Sequence, residues 1–307
     1  MTSLLTNVSA MVALQTLSQI NSDLQTTNDR VSTGLRIAQA SDSSAYWAIA
    51  TTTRSDNDAL GTVKDAIAIG RSTLDVVYNG LETTRESLQD MKELLVAARQ
   101  PGVNRANIQT QITGLQTDMQ NKAEASVINE QNFLSVDSSD ANYNATKSVV
   151  ASFERAATGI AVSTIDLDID NIKLIDPNGG TADGILDKDR TVGGTTDTVL
   201  AIDISALTDS AADITTLEEM IAIVDEALVD TITAQNEVGV NLARAESQES
   251  FVGALMDAND RAIGALVDAN MEEESTRLRA LQTQQQLAIE SLSIANSAAQ
   301  NVLALFR

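Results

Sequence analysis

The chain has 307 residues and a formal charge of −23, room for one large or two to three modest domains and too acidic to favour nucleic acid or an anionic membrane surface. Histidine and cysteine are absent, which excludes disulfides, thiolate or imidazole zinc sites and the commonest acid–base agent near neutral pH. Hydrophobic residues make up 43% but aromatics only 3%, so the interior must be aliphatic, and with only two prolines long helices are unobstructed.

The chain opens Met1-Thr2-Ser3-Leu4-Leu5, and its first base is Arg30. An ordinary secretory signal would need a charged n-region there, so export, if it occurs, is expected by another route. The apolar runs near the ends are too short to span a bilayer. A 3,4 spacing of apolar residues then runs through Ala10, Ala13, Leu17, Ile20, Leu24, Thr27 and Val31, predicting a first helix with a coiled-coil seam. Leu5, Val8, Val12 and Leu14 lie off that seam. A helix apolar on more than one side must be covered on more than one side.

The second seam is Leu60, Val63, Ile67, Gly70, Leu74, Val77, Leu81, Thr84, Leu88, Met91, Leu95 and Ala98. It predicts a helix over 60–98, roughly 58 Å long at 1.5 Å per residue. Gln100-Pro101-Gly102 ends it, because proline cannot continue the hydrogen-bond ladder. A shorter helix follows, with Ile108, Ile112, Leu115 and Met119 on one side.

From about 135 to 215 the pattern changes. Ile165-Asp166-Leu167-Asp168-Ile169-Asp170 alternates as a half-exposed strand does, while Asp176-Pro177-Asn178-Gly179-Gly180 and Val192-Gly193-Gly194 read as turns. The helical spacing returns in Leu217, Ile221, Val224, Leu228, Thr231, Gln235, Val238, Leu242, Ala245, Glu249, Val252 and Met256. It ends in a last seam of Leu278, Leu281, Gln285, Ala288, Leu292, Ala295, Ala299, Val302 and Phe306, with Ile289, Ile294, Leu303 and Leu305 off it. The expected fold is mainly α with a small β-rich insert: paired terminal coiled-coil helices, a long-helix bundle and an outer domain. The simplest folding of that order joins the two ends and lets the insert project from the far end of the bundle.

Charge follows the same division. Residues 1–40 hold Asp23 and Asp29 against Arg30 and Arg36, and residues 275–307 hold Glu290 against Arg277, Arg279 and Arg307. The middle, 135–215, carries fourteen acids against five bases. Near-neutral apolar ends beside an acidic middle predict ends that become buried and a middle that stays in water. Two helices cannot cover each other on several sides, so the surplus apolar surface calls for neighbouring molecules.

Local patterns that imitate sites do not hold. Asp166, Asp168 and Asp170 resemble the start of a calcium loop, but its sixth position is Asn171 and its closing glutamate position is Pro177. A solvent-facing strand edge accounts for the three aspartates better. Glu272-Glu273-Glu274 suits the positive end of a helix dipole at the start of the last helix. Asn144-Ala145-Thr146 fits a glycosylation sequon, a three-residue match that is common by chance. With no phosphate-cradling glycine loop and no nucleophile elbow, neither catalytic residues nor a metal or other cofactor is expected.

Three separated motifs point to a family. Arg30-Val31-Ser32-Thr33-Gly34-Leu35-Arg36-Ile37 followed by Ala38-Gln39-Ala40-Ser41-Asp42 resembles the amino-terminal signature of bacterial flagellins. Ala298-Ala299-Gln300-Asn301-Val302-Leu303-Ala304-Leu305-Phe306-Arg307 is similar to the closing motif of that family, and Leu88 to Val96 resembles its rod helix. Ala45-Tyr46-Trp47-Ala48-Ile49-Ala50 looks most like flagellins of soil and plant-associated alphaproteobacteria. The likeness covers about 1–135 and 216–307.

The resemblance implies a secreted subunit of the extracellular flagellar filament, a structural protein of swimming motility. Residues 1–44 with 265–307 would form the inner filament core, with Leu5, Val8, Val12, Leu17, Ile20, Leu24, Val31, Leu278, Leu281, Leu292, Val302, Leu303 and Phe306 at its interface. Residues 45–135 with 216–264 would form a rod domain with a β-hairpin. Its seam would be Leu60, Val63, Ile67, Leu74, Val77, Leu81, Leu88, Met91 and Leu95 against Leu217, Ile221, Val224, Leu228, Val238 and Leu242. The insert, 136–215, would face solvent. Implied partners are other flagellin copies, an export chaperone with its secretion apparatus, and cap and hook-junction proteins; neither nucleic acid nor a membrane is among them. Export as an unfolded chain suits the lack of disulfides.

Two departures bear on host receptors. Many flagellins carry arginine where this chain has Asp90, in the segment Gln89, Asp90, Lys92 and Glu93 that animal immune receptors contact in the family. The plant-recognised stretch departs at Ser43-Ser44-Ala45-Tyr46-Trp47. Weakened receptor contact is the expectation. The competing reading is a hook–filament junction protein of the same terminal-helix design; Ser32-Thr33-Gly34-Leu35 and the ending Gln300 to Arg307 favour the filament subunit.

Uncovered end helices should order only when neighbours arrive, so folding and polymerisation coincide. The far-ultraviolet circular dichroism of the chain is expected to gain helical signal on polymerisation. Equal spectra before and after assembly would contradict this.

Overall fold

A computed structural model describes residues 7–128, 130–156, 159–178 and 183–304, with side chains left out at 153–160 and 298–304. Among the described residues five α-helices carry the chain: α1 (Val8–Thr33), α2 (Ser44–Ala98), α3 (Arg105–Ala125), α4 (Ala211–Val267) and α5 (Met271–Ala304). Between α3 and α4 lie three antiparallel two-stranded ribbons. They are β1 (Val127–Ile128) with β2 (Gln131–Asn132), β3 (Thr146–Ala156) with β4 (Gly159–Asp168), and β5 (Arg190–Val192) with β6 (Thr195–Asp197). The chain divides into two compact units, residues 1–58 with 255–307, and residues 59–254.

The helix boundaries follow local chemistry. Asn7 and Asn104 cap α1 and α3 by accepting backbone N–H bonds from Ala10 and Asn107. Gly34 stops α1 in the left-handed region at φ 73°, where its N–H donates to Arg30 O at 2.9 Å. Helix α2 starts at Ser44, well before the 60–98 seam, and ends at Ala98 ahead of Pro101. Polar Thr51 to Asp58 weaken the apolar pattern without breaking the helix, since none of them is glycine or proline.

Within residues 59–254, α2 and α4 run antiparallel. Lys92 Nζ meets Asp225 Oδ1 at 2.6 Å and Arg71 Nη1 meets Glu249 Oε2 at 3.5 Å, so positions rising along α2 meet positions falling along α4. The predicted seam lies inward: Leu60, Val63, Ile67, Leu74, Val77, Leu81, Leu88, Met91 and Leu95 are buried, as are Leu217, Val224, Leu228 and Val238. Ile221 and Leu242 are half-buried. Removing a leucine such as Leu81 from water is worth about 1.5–3 kcal/mol, which makes this stripe the main hold on the unit. Helix α4 also buries Met220, Ile223, Ala227 and Ala234, which the seam omits.

That extra burial belongs with a correction. The middle segment does not project from the end of the bundle; it folds back onto the helices. At Gly70 a Cβ would overlap Val149 Cγ1 of β3, and at Gly80 it would overlap Leu134 Cδ1. Arg190, buried at the start of β5, donates to Asp230 Oδ2 on α4 at 2.7 Å. Glu219 of α4 accepts from Gly194 N at 3.0 Å and Thr195 Oγ1 at 2.6 Å. Along α3, Gln116 Nε2 donates to the carbonyls of Val199 and Ile202 at 3.0 and 3.1 Å. Two glycine notches and a few charge-assisted bonds therefore dock irregular chain onto regular helices.

The alternation at 165–169 is as expected: Ile165, Leu167 and Ile169 are buried, Asp166 and Asp168 exposed. Asp170 departs from the strand-edge reading, because the next residues turn into a 3-10 helix over Ile169–Asn171. Its carboxylate accepts from Tyr143 Oη at 2.5 Å and stands 3.3 Å from the fully buried Lys173 Nζ. Lys173 also meets buried Asp176 at 2.9 Å and lies 5.5 Å from the Tyr143 ring centroid. Burial alone would raise the Asp176 carboxyl, but bonds from Ser138 and Lys173 hold it below the ordinary carboxylate range. A depressed folded-state pKa gives stability that is present above the unfolded-state value and lost as pH falls through the folded one. Acidification below the ordinary carboxylate range should therefore loosen the 134–176 segment, and Lys173→Met, which strands Asp176, should lower its stability by about 3–5 kcal/mol at neutral pH. Amide hydrogen exchange across 134–176 measures both; unchanged protection in the variant would show the pair to be dispensable.

Candidate assembly surface

Helices α1 and α5 pair within the unit of residues 1–58 and 255–307. A short backbone clamp sets their base: Arg36 N donates to Val267 O at 2.7 Å, and Ala269 N to Gly34 O at 2.8 Å. A small cluster of Ile37, Ala50, Ile263 and Val267, flanked by Leu35 and Leu266, packs around it. The signature motif at 30–37 thus folds as a helix stop and a strand-like bridge, Leu35 opposite Asp268. Above the clamp, Arg30 Nη1 meets Glu274 Oε1 at 3.2 Å, with the Glu274 side chain 8% exposed. Gln285 Nε2 donates to Asn21 Oδ1 at 2.7 Å, and Asn7 Nδ2 to Ala295 O at 3.0 Å, so the helices stay together as far as Asn7 and Ala295. Glu272, Glu273 and Glu274 occupy the first turn of α5, where the N–H groups of Glu272 and Glu273 point to the Asn270 side chain.

The pair closes only one face. Of the predicted core positions, Ile20 and Leu281 are buried, while Leu17, Leu24, Val31, Leu278 and Leu292 are half-buried. Val8 and Val12 are exposed. Leu5 and Phe306 lie outside the described residues, and of Val302 and Leu303 only the helical backbone is described. Met11, Leu14, Leu287, Ile289 and Ile294 also face outward, each more than half exposed, Leu287 at 65%. The periodic seam is satisfied by the partner helix; the apolar residues beside it are left open. Between the helices lies a polar groove of about 460 Å³ lined by Asp23, Thr27, Arg30, Arg277 and Gln284.

In the other unit, Gln89, Asp90 and Glu93 are exposed on α2. Lys92 is engaged by Asp225, and Arg85 Nη1 donates to Gln89 Oε1 at 3.2 Å. No group of carboxylates among the described residues is arranged to hold a metal ion. None of the described helices is long and apolar enough to cross a membrane.

Antiparallel terminal helices with uncovered outer faces, on a chain of long helices with a β-containing middle, define a subunit of a helical polymer. The profile of the bacterial flagellin N-terminal helical region matches residues 4–139, and that of the C-terminal helical region matches residues 221–306. Flagellin C of Rhizobium meliloti (strain 1021) is 43% identical across the full length of both chains, and Flagellin A of that strain is 38% identical across both. A flagellin of Brucella melitensis is 37% identical, again end to end. The chain belongs to the bacterial flagellin family. It is a structural subunit that self-assembles with other flagellin copies into the extracellular flagellar filament, in agreement with the resemblance to alphaproteobacterial flagellins. The hook–filament junction reading is not favoured. A solved structure described as a flagellar hook-associated protein from Vibrio parahaemolyticus shares the fold at TM-score 0.52 and 15% identity, covering 74% of this chain and all of that one.

The open face predicts a separation of effects. Leu287→Asp should leave the circular dichroism of the free chain unchanged. It should raise the concentration needed for polymerisation by about tenfold or more, because assembly would bury an unpaired carboxylate. Sedimentation of polymer against total protein reads this directly, and wild-type polymerisation would show that Leu287 stays exposed in the filament.

Proposed function

We propose that residues 1–44 with 265–307 form the inner wall of the filament, that residues 45–135 with 216–264 form a surrounding rod layer, and that residues 136–215 face solvent. The observation that carries this reading is the apolar surface left open on α1 and α5, from Val8 to Leu14 and from Leu287 to Ile294. Such a surface is stable only when other copies cover it, and the near-neutral charge of the ends lets them gather without repulsion. The acidic middle, docked along α2 and α4, is the part suited to water.

The chain has no catalytic role in this reading. An export chaperone would cover the apolar face of α5 before secretion, and cap and hook-junction proteins would meet the same terminal helices at the two ends of the filament. Host immune receptors would bind weakly. Asp90 places a negative charge where an arginine is common in the family, and Lys92 is already engaged by Asp225.

Removing residues from about 280 onward should abolish filaments while leaving residues 59–254 folded. Electron microscopy and limited proteolysis of the truncated chain test both halves of that statement. Normal filaments from it would refute the inner-wall assignment.

A further inference from the structure

The outward face of α5 carries Glu290 and Arg279, which no described residue pairs, and Glu272 of the first turn lies on the same line. Glu290 and Arg279 are both exposed, and no described residue makes an ion pair with either. They stand eleven positions apart, which at 3.6 residues per turn is close to three full turns. Both therefore lie on one line along the helix, directly opposite the side where Leu281 is buried against α1. Their backbones are separated by about 16 Å along the axis, beyond the combined reach of the two side chains. The pair cannot close within one molecule.

The surroundings say what must happen to Glu290. Leu287 lies one turn before it and Ile294 one turn after it, at 65% and 61% exposure, and Ile289 is beside it at 53%. A surface that covers these residues must also cover the carboxylate, and a carboxylate buried without a cation is strongly unfavourable. Cations on the two terminal helices are few. Arg30 is committed to Glu274, and Arg277 stands 4.0 Å from the same carboxylate. Arg307 lies outside the described residues. Among the described residues of the two helices, Arg279 is the remaining one.

We infer that Glu290 of one copy pairs with Arg279 of a second copy, the two α5 helices lying side by side and parallel with a stagger of eleven residues. This rests on the proposal that assembly covers the terminal helices. The contact is heterologous: each copy gives its carboxylate in one direction and its guanidinium in the other. Such a contact repeats without closing, as a filament requires. It also supplies a stagger that the apolar residues alone leave loosely specified, since an aliphatic stripe tolerates sliding and a buried charge does not.

The test uses the full-length chain and trans-complementation. Glu290→Arg and Arg279→Glu variants are polymerised separately and as an equimolar mixture. Each alone meets only like charges at the contact, and its critical concentration should rise by about tenfold or more. In the mixture, each variant offers the charge that the other has lost, so polymerisation should return toward the wild-type value, with both chains in every filament. The double variant alone should also polymerise, because it reverses the pair throughout. Unimpaired single variants would overturn the proposal, as would a mixture or double variant that fails although each chain keeps its free-state circular dichroism. Rescue of Glu290→Arg by Arg277→Glu instead would assign the contact to the wrong arginine and overturn it too. The truncation at 280 separates this proposal from the reading beneath it. A truncated chain that cannot polymerise, beside unimpaired charge variants, removes the pairing and leaves the inner-wall assignment standing.

Discussion

Two helices packed against each other hide one face each, and everything in this protein turns on the apolar residues that such a pair cannot hide. Helix α1 buries Ala10, Ile20 and Thr27, while Val8, Met11, Val12 and Leu14 are left in water. Helix α5 buries Glu274 and Leu281 and exposes Leu287, Ile289 and Ile294. At about 25 cal/mol per Å² of apolar surface, covering such residues across many copies is a strong drive to associate, and it cannot be met within one chain. In the proposed inner wall, the polymer is the state that gives the terminal helices a complete environment.

The other unit solves the opposite problem. Residues 59–254 must hold together alone, and they do so with an aliphatic seam of nearly fully buried leucine, valine and methionine, and with irregular chain docked onto it. Few aromatic residues are needed, because two long helices in register give each leucine a neighbour on the facing helix. The middle segment is fastened by polar devices: Arg190 on Asp230, Glu219 on the Gly194–Thr195 turn, Gln116 on two carbonyls, and Lys173 enclosed by Asp170 and Asp176. The Arg190, Gln116 and Lys173 contacts satisfy buried groups that an irregular segment would otherwise leave unpaired, and Glu219 ties down an exposed turn.

Charge placement links the two units to one purpose. The terminal helices carry few charges, and near the base of the pair Arg30 meets Glu274 while Glu272 and Glu273 stay exposed. Most acids lie between the terminal helices, in the docked middle and on α2 and α4. A chain of −23 can still condense into a polymer if the surfaces that meet are not the surfaces that carry the charge.

The sequence by itself determined the main helices, the seam and part of the surplus; Met11 and Leu287 joined that surplus only in the folded chain. A 3,4 spacing uninterrupted by proline is a local property, so Leu60 to Leu95 and Leu217 to Leu242 were readable before any packing was known. So were the off-seam residues Val8, Val12, Leu287's neighbour Ile289, and Ile294. Tertiary structure alone decided where the irregular middle goes. Gly70 and Gly80 sit in a helix where glycine is otherwise unfavourable, and their value is visible only once Val149 and Leu134 fill the notches. No local pattern singles out Arg190 or Lys173; their burial is explained only once Asp230 and Asp176, forty and three residues away, are brought near. Met220, Ile223, Ala227 and Ala234 widen the buried side of α4 beyond what a single period announces. Periodicity records which side of a helix is apolar, whereas docking between distant segments depends on shape and pairing, which only the folded chain brings together.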